Sequence, residues 1–178
     1  MAEIVNIVAG GDLNCEVDLE AIQSDISTIQ GVSSEFSGGG HWQLLIRFDE
    51  GGMVILYRTG KYIFRGGSSF EKLDIVKENF SDIVKNIPTV SKDIEASYEL
   101  QNIVFLEEFD FPLDLNQVAV QLGMENIEYE PEQFPGLIYR PADFGLVMLI
   151  FATGKVIITG TTKEEETEKA IEYLYQIL

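Results

Sequence analysis

The spacing of apolar residues predicts a regular order of short elements in the first half of the chain. A strand is predicted over Glu3–Ala9 and a helix over Asp18–Ile29, where Ile22, Ile26 and Ile29 recur at helical spacing. Glycine-rich or acidic turns then separate four short apolar runs, near Val32–Phe36, Trp42–Phe48, Met53–Tyr57 and Tyr62–Phe64. A closing helix begins at Ser69, with one apolar stripe formed by Phe70, Leu73, Val76, Phe80, Ile83 and Val84.

The same order of elements is predicted twice, because short strings recur at nearly constant spacing. Ile4–Val8 recurs 96 residues later as Leu100–Val104, and Asp18-Leu19 recurs as Asp114-Leu115. Thr59–Gly66 matches Thr153–Gly160 at an offset of 94. The chain therefore reads as two diverged copies, 1–92 and 93–178, connected through residues 87–97, with a last helix over Thr162–Leu178.

The repeat predicts an α+β fold with about ten antiparallel strands and four helices. Helices that follow one another in this way can cover only one face of such a sheet, so the other face should be polar. Met53–Tyr57 and Leu146–Phe151 are instead apolar on both faces. An uncovered apolar face indicates an interaction surface, with a homodimer interface or a second layer as the alternatives.

Composition narrows the functional classes. The net charge is −18, which argues against a nucleic-acid partner but suits a protein kept soluble in concentrated salt. The acids fall mainly on the predicted helices and turns. With one cysteine, Cys15, and one histidine, His41, the chain offers no disulfide, metal cluster or Ser-His site, so neither catalysis nor a cofactor is expected. No membrane span or signal peptide is visible, which predicts an intracellular, cytoplasmic protein.

Three strings in the second copy closely resemble the TATA-box-binding protein family: Tyr129–Arg140 (YEPEQFPGLIYR), Leu149–Lys155 (LIFATGK) and Ile157–Gly160 (IITG). The resemblance covers the whole chain as two repeats. Within the family, the chain is similar to the archaeal form. It implies one intertwined saddle, with a curved sheet of about ten strands and four helices on the convex face. The concave face would grip A·T-rich promoter DNA in the minor groove, as a nucleoid-associated general initiation factor that recruits transcription factor B and RNA polymerase.

The resemblance also implies roles for individual residues. Asn6 and Asn102 would donate amide hydrogens to the acceptors of A·T base edges, and Thr159 would add a hydrogen bond. Phe134 and Phe151 would unstack a base step as wedges, with Tyr57 at the second wedge position of the first copy. The side chains that would press on base edges are Val8, Ile55, Ile63, Val104, Leu149 and Ile157. The cations that would contact phosphates are Arg47, Lys61, Arg140 and Lys155. Transcription factor B would bind Glu130 and Glu132.

Each role has a plainer alternative. Apolar strand residues are more often core, the asparagines could cap strand ends, and loop acids such as Glu130 are often simply solvated. The first copy also departs from the family, because Ser37–Trp42 contains no proline and no wedge phenylalanine, leaving His41 or Trp42 as stand-ins. Arg65 replaces the threonine that matches Thr159. The second hypothesis is therefore a diverged paralogue that binds DNA weakly or asymmetrically and acts mainly through protein contacts.

Overall fold

The computed structural model describes residues 2–86 and 96–178. These residues contain four α-helices and ten strands. The first seven elements are β1 (Glu3–Asp12), α1 (Leu19–Ile26), β2 (Val32–Ser37), β3 (Gln43–Phe48), β4 (Met53–Tyr57), β5 (Lys61–Gly67) and α2 (Phe70–Lys85). The others are β6 (Glu99–Glu108), α3 (Leu115–Leu122), β7 (Ile127–Glu128), β8 (Gly136–Tyr139), β9 (Val147–Phe151), β10 (Lys155–Thr161) and α4 (Glu164–Ile177). The predicted α+β class is confirmed.

The chain divides into two compact units. Asn6–Gln101 forms the N-terminal unit, whereas Asn102–Leu178 and the residues up to Val5 form the C-terminal unit. Strands of the N-terminal unit pair in the order β2-β3-β4-β5-β1, and those of the C-terminal unit in the order β6-β10-β9-β8-β7, all antiparallel. The predicted boundary between residues 92 and 93 lies outside the described residues.

Side-chain caps explain where the helices begin. The Asp18 carboxylate accepts hydrogen bonds from the backbone N–H groups of Glu20 and Ala21, each at 3.1 Å, so the predicted start of α1 is confirmed. The predicted end at Ile29 is wrong, because α1 stops at Ile26. Ser27 and Thr28 donate their hydroxyl hydrogens to backbone carbonyls three residues earlier. Such side-chain hydrogen bonds compete with the backbone hydrogen bonds that would continue the helix.

Alternation along the strands places one face of each unit under its helices. In the N-terminal unit the rings of Tyr62, Phe64 and Phe80 lie 4.9 to 5.7 Å apart on this face, and the Tyr62 hydroxyl donates to the Ser97 carbonyl. In the C-terminal unit Tyr139 is buried on the same face, where burial and the neighbouring Tyr173 raise its pKa to about 12. The opposite strand face, which we call the open face of each unit, carries the remaining strand side chains.

Candidate nucleic-acid interface

The open face of the C-terminal unit carries a continuous apolar row. Ile157 on β10 lies opposite Leu106 on one side and Leu149 on the other, and Leu149 lies opposite Ile138. All four side chains are half-buried, whereas the next row, around Ile158, is fully buried under the helices. Strand alternation therefore produces a second apolar surface outside the core.

The N-terminal unit has a shorter version of the same row. Ile55 lies between Leu45 and Ile63, and Val8 is half-buried on the neighbouring strand. Ile55 is only 7% exposed, less than the predicted contact residues Ile63 and Val8. Its neighbours already cover most of the Ile55 side chain, so Ile55 packs against them and exposes little surface for contact on the open face.

Asn102 is held at a bulge in the C-terminal unit. Its side-chain N–H donates to the Thr159 hydroxyl at 2.8 Å, and its carbonyl oxygen accepts from the Gly160 N–H at 2.8 Å. Gly160 has a φ of 93°, and the β6–β10 register shifts between Ile158 and Thr161. An amide has two N–H donors, so this network leaves one for a ligand. At the matching place in the N-terminal unit, Asn6 is half-buried and Arg65 replaces the threonine.

Two phenylalanine rings meet at one end of the C-terminal open face. Phe134 and Phe151 lie edge to face with their centroids 5.8 Å apart. A turn brings Phe134 there, since its backbone N–H donates to the Glu130 carbonyl at 2.9 Å. Gly136 lies beneath the pair, and a Cβ atom on it would come within 2.8 Å of Phe134 and 3.0 Å of Phe151. The predicted wedge residues are thus brought together over a glycine.

The corresponding end of the N-terminal unit is built differently. His41 stacks on Phe36, with ring centroids 4.2 Å apart, and its Nδ1 lies 3.4 Å from the Glu20 carboxylate. Trp42 is 64% exposed and lies over Gly40. Tyr57 is half-buried opposite Gln43. Neither His41 nor Trp42 forms a ring pair with Tyr57 among the described ring contacts.

The predicted phosphate-binding cations all have acidic neighbours. Arg47 donates a hydrogen bond to Glu35 at 2.6 Å, and Arg140 forms an ion pair with Glu128 in which the nearest nitrogen and oxygen atoms lie 3.0 Å apart. Lys61 lies opposite Asp12, and Lys155 lies opposite Glu108. These four acids, Glu35, Glu128, Asp12 and Glu108, lie on strands and are exceptions to the expectation that acids fall mainly on helices and turns. Sequence reasoning missed both ion pairs, although in each copy the glutamate precedes the arginine by twelve residues.

Glu130 and Glu132, the predicted partner-binding acids, are exposed in the turn that carries Phe134. Within residues 2–86 and 96–178, no group of three or more histidine, cysteine, aspartate or glutamate side chains is arranged to hold a metal ion. The helices of this described part are all too short or too polar to cross a membrane.

Comparisons with known proteins agree with this geometry. The family model described as transcription factor TFIID (or TATA-binding protein, TBP) matches residues 1–87 and 97–178. TATA-box-binding protein C of Halobacterium salinarum is 41% identical over 96% of this chain and 93% of its own length. The TATA-box-binding protein of Archaeoglobus fulgidus is 34% identical over 99% and 93%. The solved structure of Methanococcus jannaschii TBP superimposes with a TM-score of 0.75 at 31% identity, over 99% of this chain and 97% of that one.

Proposed function

This chain belongs to the TATA-box-binding protein family of non-enzymatic, DNA-binding transcription factors, and we propose that it bends A·T-rich promoter DNA from the minor groove. In this proposal it acts at the nucleoid, inside the cell, as a general initiation factor of archaeal type. The observation that carries the proposal is the ring pair of Phe134 and Phe151 over Gly136, at the end of an uncovered apolar face.

The chemistry of the open face suits the minor groove of A·T pairs. That groove offers acceptors and no guanine amino group, so an apolar surface with a few donors matches it. Leu149, Ile157 and Val104 would press on base edges, and the second N–H of Asn102 would donate to one acceptor. Val8, Ile63, Ile55 and Asn6 would take the same roles in the N-terminal unit.

Bending would come from the aromatic pair. Inserting Phe134 and Phe151 into a base step costs a few kcal/mol of stacking, which the wider contact with bent DNA offsets. This is the established mode of the family, whose members kink DNA by about 80°. Because the described residues of the N-terminal unit form no matching ring pair around Tyr57, we propose a stronger kink at the end of the site that the C-terminal unit occupies.

Protein partners complete the proposed role. Glu130 and Glu132 are exposed beside Phe134, where transcription factor B would reach them while Phe134 is engaged with DNA. Transcription factor B would in turn bring RNA polymerase. Without DNA, the same open faces could hold two copies together as a homodimer, which sedimentation with and without duplex would detect.

A second candidate function rests on the N-terminal unit. His41 packs on Phe36 and Glu20, and Arg65 adds charge to the open face. Both features favour a diverged paralogue that binds DNA weakly or asymmetrically and acts mainly through proteins.

The deciding experiment measures binding of the full chain to an A·T-rich duplex from low to molar salt, with bending read by energy transfer between dyes at the duplex ends. Binding with a bend supports the first candidate. A folded protein that fails to bind at every salt concentration favours the paralogue.

The wedge role has its own test. Changing Phe134 and Phe151 to alanine should remove most of the bend, with the affinity falling about tenfold or more, since stacking contacts contribute about 1–3 kcal/mol each. Tyr57→Ala is the matched control in the N-terminal unit and should change the bend less. An unchanged bend in the double variant would refute the wedge assignment.

A further inference from the structure

An exposed apolar patch lies on α3 and on the turn and edge strand that follow it in the C-terminal unit. Val120 is 74% exposed and Met124 69%, the two highest values among the large apolar side chains of the described residues. Ile127 and Tyr129 are half-buried beside them. With Asn116 and Ala119 these residues line a shallow cavity of about 330 Å³. We call Val120, Met124, Ile127 and Tyr129 the α3 patch.

The other repeat shows that folding does not require this patch. Helices α1 and α3 bury equivalent positions, so Ile22 corresponds to Val118 and Ile26 to Leu122. The exposed positions differ, because Ser24 and Thr28 of the N-terminal unit correspond to Val120 and Met124 at the 96-residue offset. The N-terminal unit thus folds with polar residues at the two positions where the C-terminal unit exposes large apolar ones. An apolar surface that the fold does not need indicates a binding site.

Charge restricts what can bind there. Residues 114–139 contain no lysine or arginine. They contain five acids, which are Asp114, Glu125, Glu128, Glu130 and Glu132. Arg140, which follows, is paired with Glu128. DNA is unsuited to this surface because both are negative. A second copy of a chain with net charge −18 would bring acids against acids.

We propose that the α3 patch docks an amphipathic helix of a protein partner, with apolar side chains on Val120 and Met124 and flanking lysine or arginine residues near the acids. An amphipathic helix laid into an apolar groove is a common mode of recognition, and the flanking charges add selectivity and speed of association. This site lies outside the open face, so it does not rest on the proposed DNA binding, but its acidic border includes Glu130 and Glu132, which are also the proposed contacts of transcription factor B.

The test uses a synthetic helical peptide of roughly four turns, with leucine on one face and lysine on the other. Titrated into the isotope-labelled full chain, it should shift the amide signals of the α3 patch. Val120→Ser with Met124→Thr installs the residues of the N-terminal unit and should weaken binding about tenfold or more, as expected for loss of two anchors. Ile75→Ser is the matched control, because Ile75 is a 40% exposed helix residue in the other unit, and it should leave the affinity unchanged.

Four results would overturn the proposal: equal binding to the double variant, equal loss in Ile75→Ser, equal binding of a peptide with glutamate in place of lysine, or equal binding of one with its leucines scrambled. Shifts of the same signals that grow with protein concentration alone would assign the patch to a second copy instead. If the double variant unfolds, Met124→Thr alone carries the comparison. DNA binding of the double variant should be unchanged, so failure here is distinguishable from failure of the proposed function.

Discussion

Gly136 lies under both rings at the end of the C-terminal open face, where any side chain would meet them. Its backbone has no positive φ, so alanine fits the strand itself and the only conflict is with Phe134 and Phe151. The matching residue in the N-terminal unit is Gln43, opposite Tyr57. A small residue at this position thus accompanies the ring pair, and a larger one accompanies its absence.

Gly136→Ala should therefore weaken DNA bending while leaving the fold intact. Moving two rings off their preferred rotamers costs about 0.5–1.5 kcal/mol each, so we expect an affinity loss of roughly 5- to 150-fold. Gly39→Ala is the matched control, because its Cβ would meet nothing within 4 Å. Both variants should be compared by energy transfer on the same duplex and by thermal unfolding. A normal bend with alanine at 136 would show that the ring positions are not critical.

Sequence reasoning at this scale identified Phe134 and Phe151 through the family resemblance, but not Gly136 or the pairing of Arg47 with Glu35. Those contacts depend on strand register, because a shift of one residue would move every side chain to the other face. The apolar pattern predicts that a strand exists but does not predict which residues face each other across two strands.

At the scale of elements, both bounds of the first helix repeat, because α1 and α3 start at Leu19 and Leu115 and end at Ile26 and Leu122, which are equivalent at the 96-residue offset. Asp18 and Asp114, which belong to the Asp-Leu pair that recurs in the two copies, each accept two backbone hydrogen bonds in the first turn of their helix. The strand over Met53–Tyr57 also has its predicted bounds. The end of α1 depends on hydroxyl groups bonding back to the backbone, which apolar spacing does not reveal.

Asp114→Ala should destabilise the protein by about 1 kcal/mol, because two N–H groups of α3 lose their acceptor. Asp114→Asn should keep nearly full stability, since asparagine caps about as well as aspartate. Urea unfolding monitored by circular dichroism gives both values. Equal losses in the two variants would mean that the carboxylate acts through its charge, on the helix dipole, and not through the cap.

For the whole molecule, the central question is how a chain of net charge −18 binds a polyanion. The open faces contribute part of the answer, because their central rows are apolar. Their borders are not purely cationic, however, since Arg47 is paired with Glu35 and Arg140 with Glu128 in both units alike. An arginine already neutralised by a glutamate releases fewer counterions when it meets a phosphate, so salt should weaken binding less than in a basic protein.

Glu35→Gln with Glu128→Gln should therefore raise the affinity for an A·T-rich duplex at low salt and steepen its salt dependence. Each arginine that newly neutralises a phosphate adds about −0.9 to the slope of log K against log salt concentration, or close to −2 for the pair. Glu71→Gln with Glu168→Gln is the matched control, because it changes the net charge equally at exposed helix positions. If both double variants change the slope equally, the effect comes from the overall field of the protein. A change confined to Glu35 and Glu128 would locate it in the two strand-borne ion pairs.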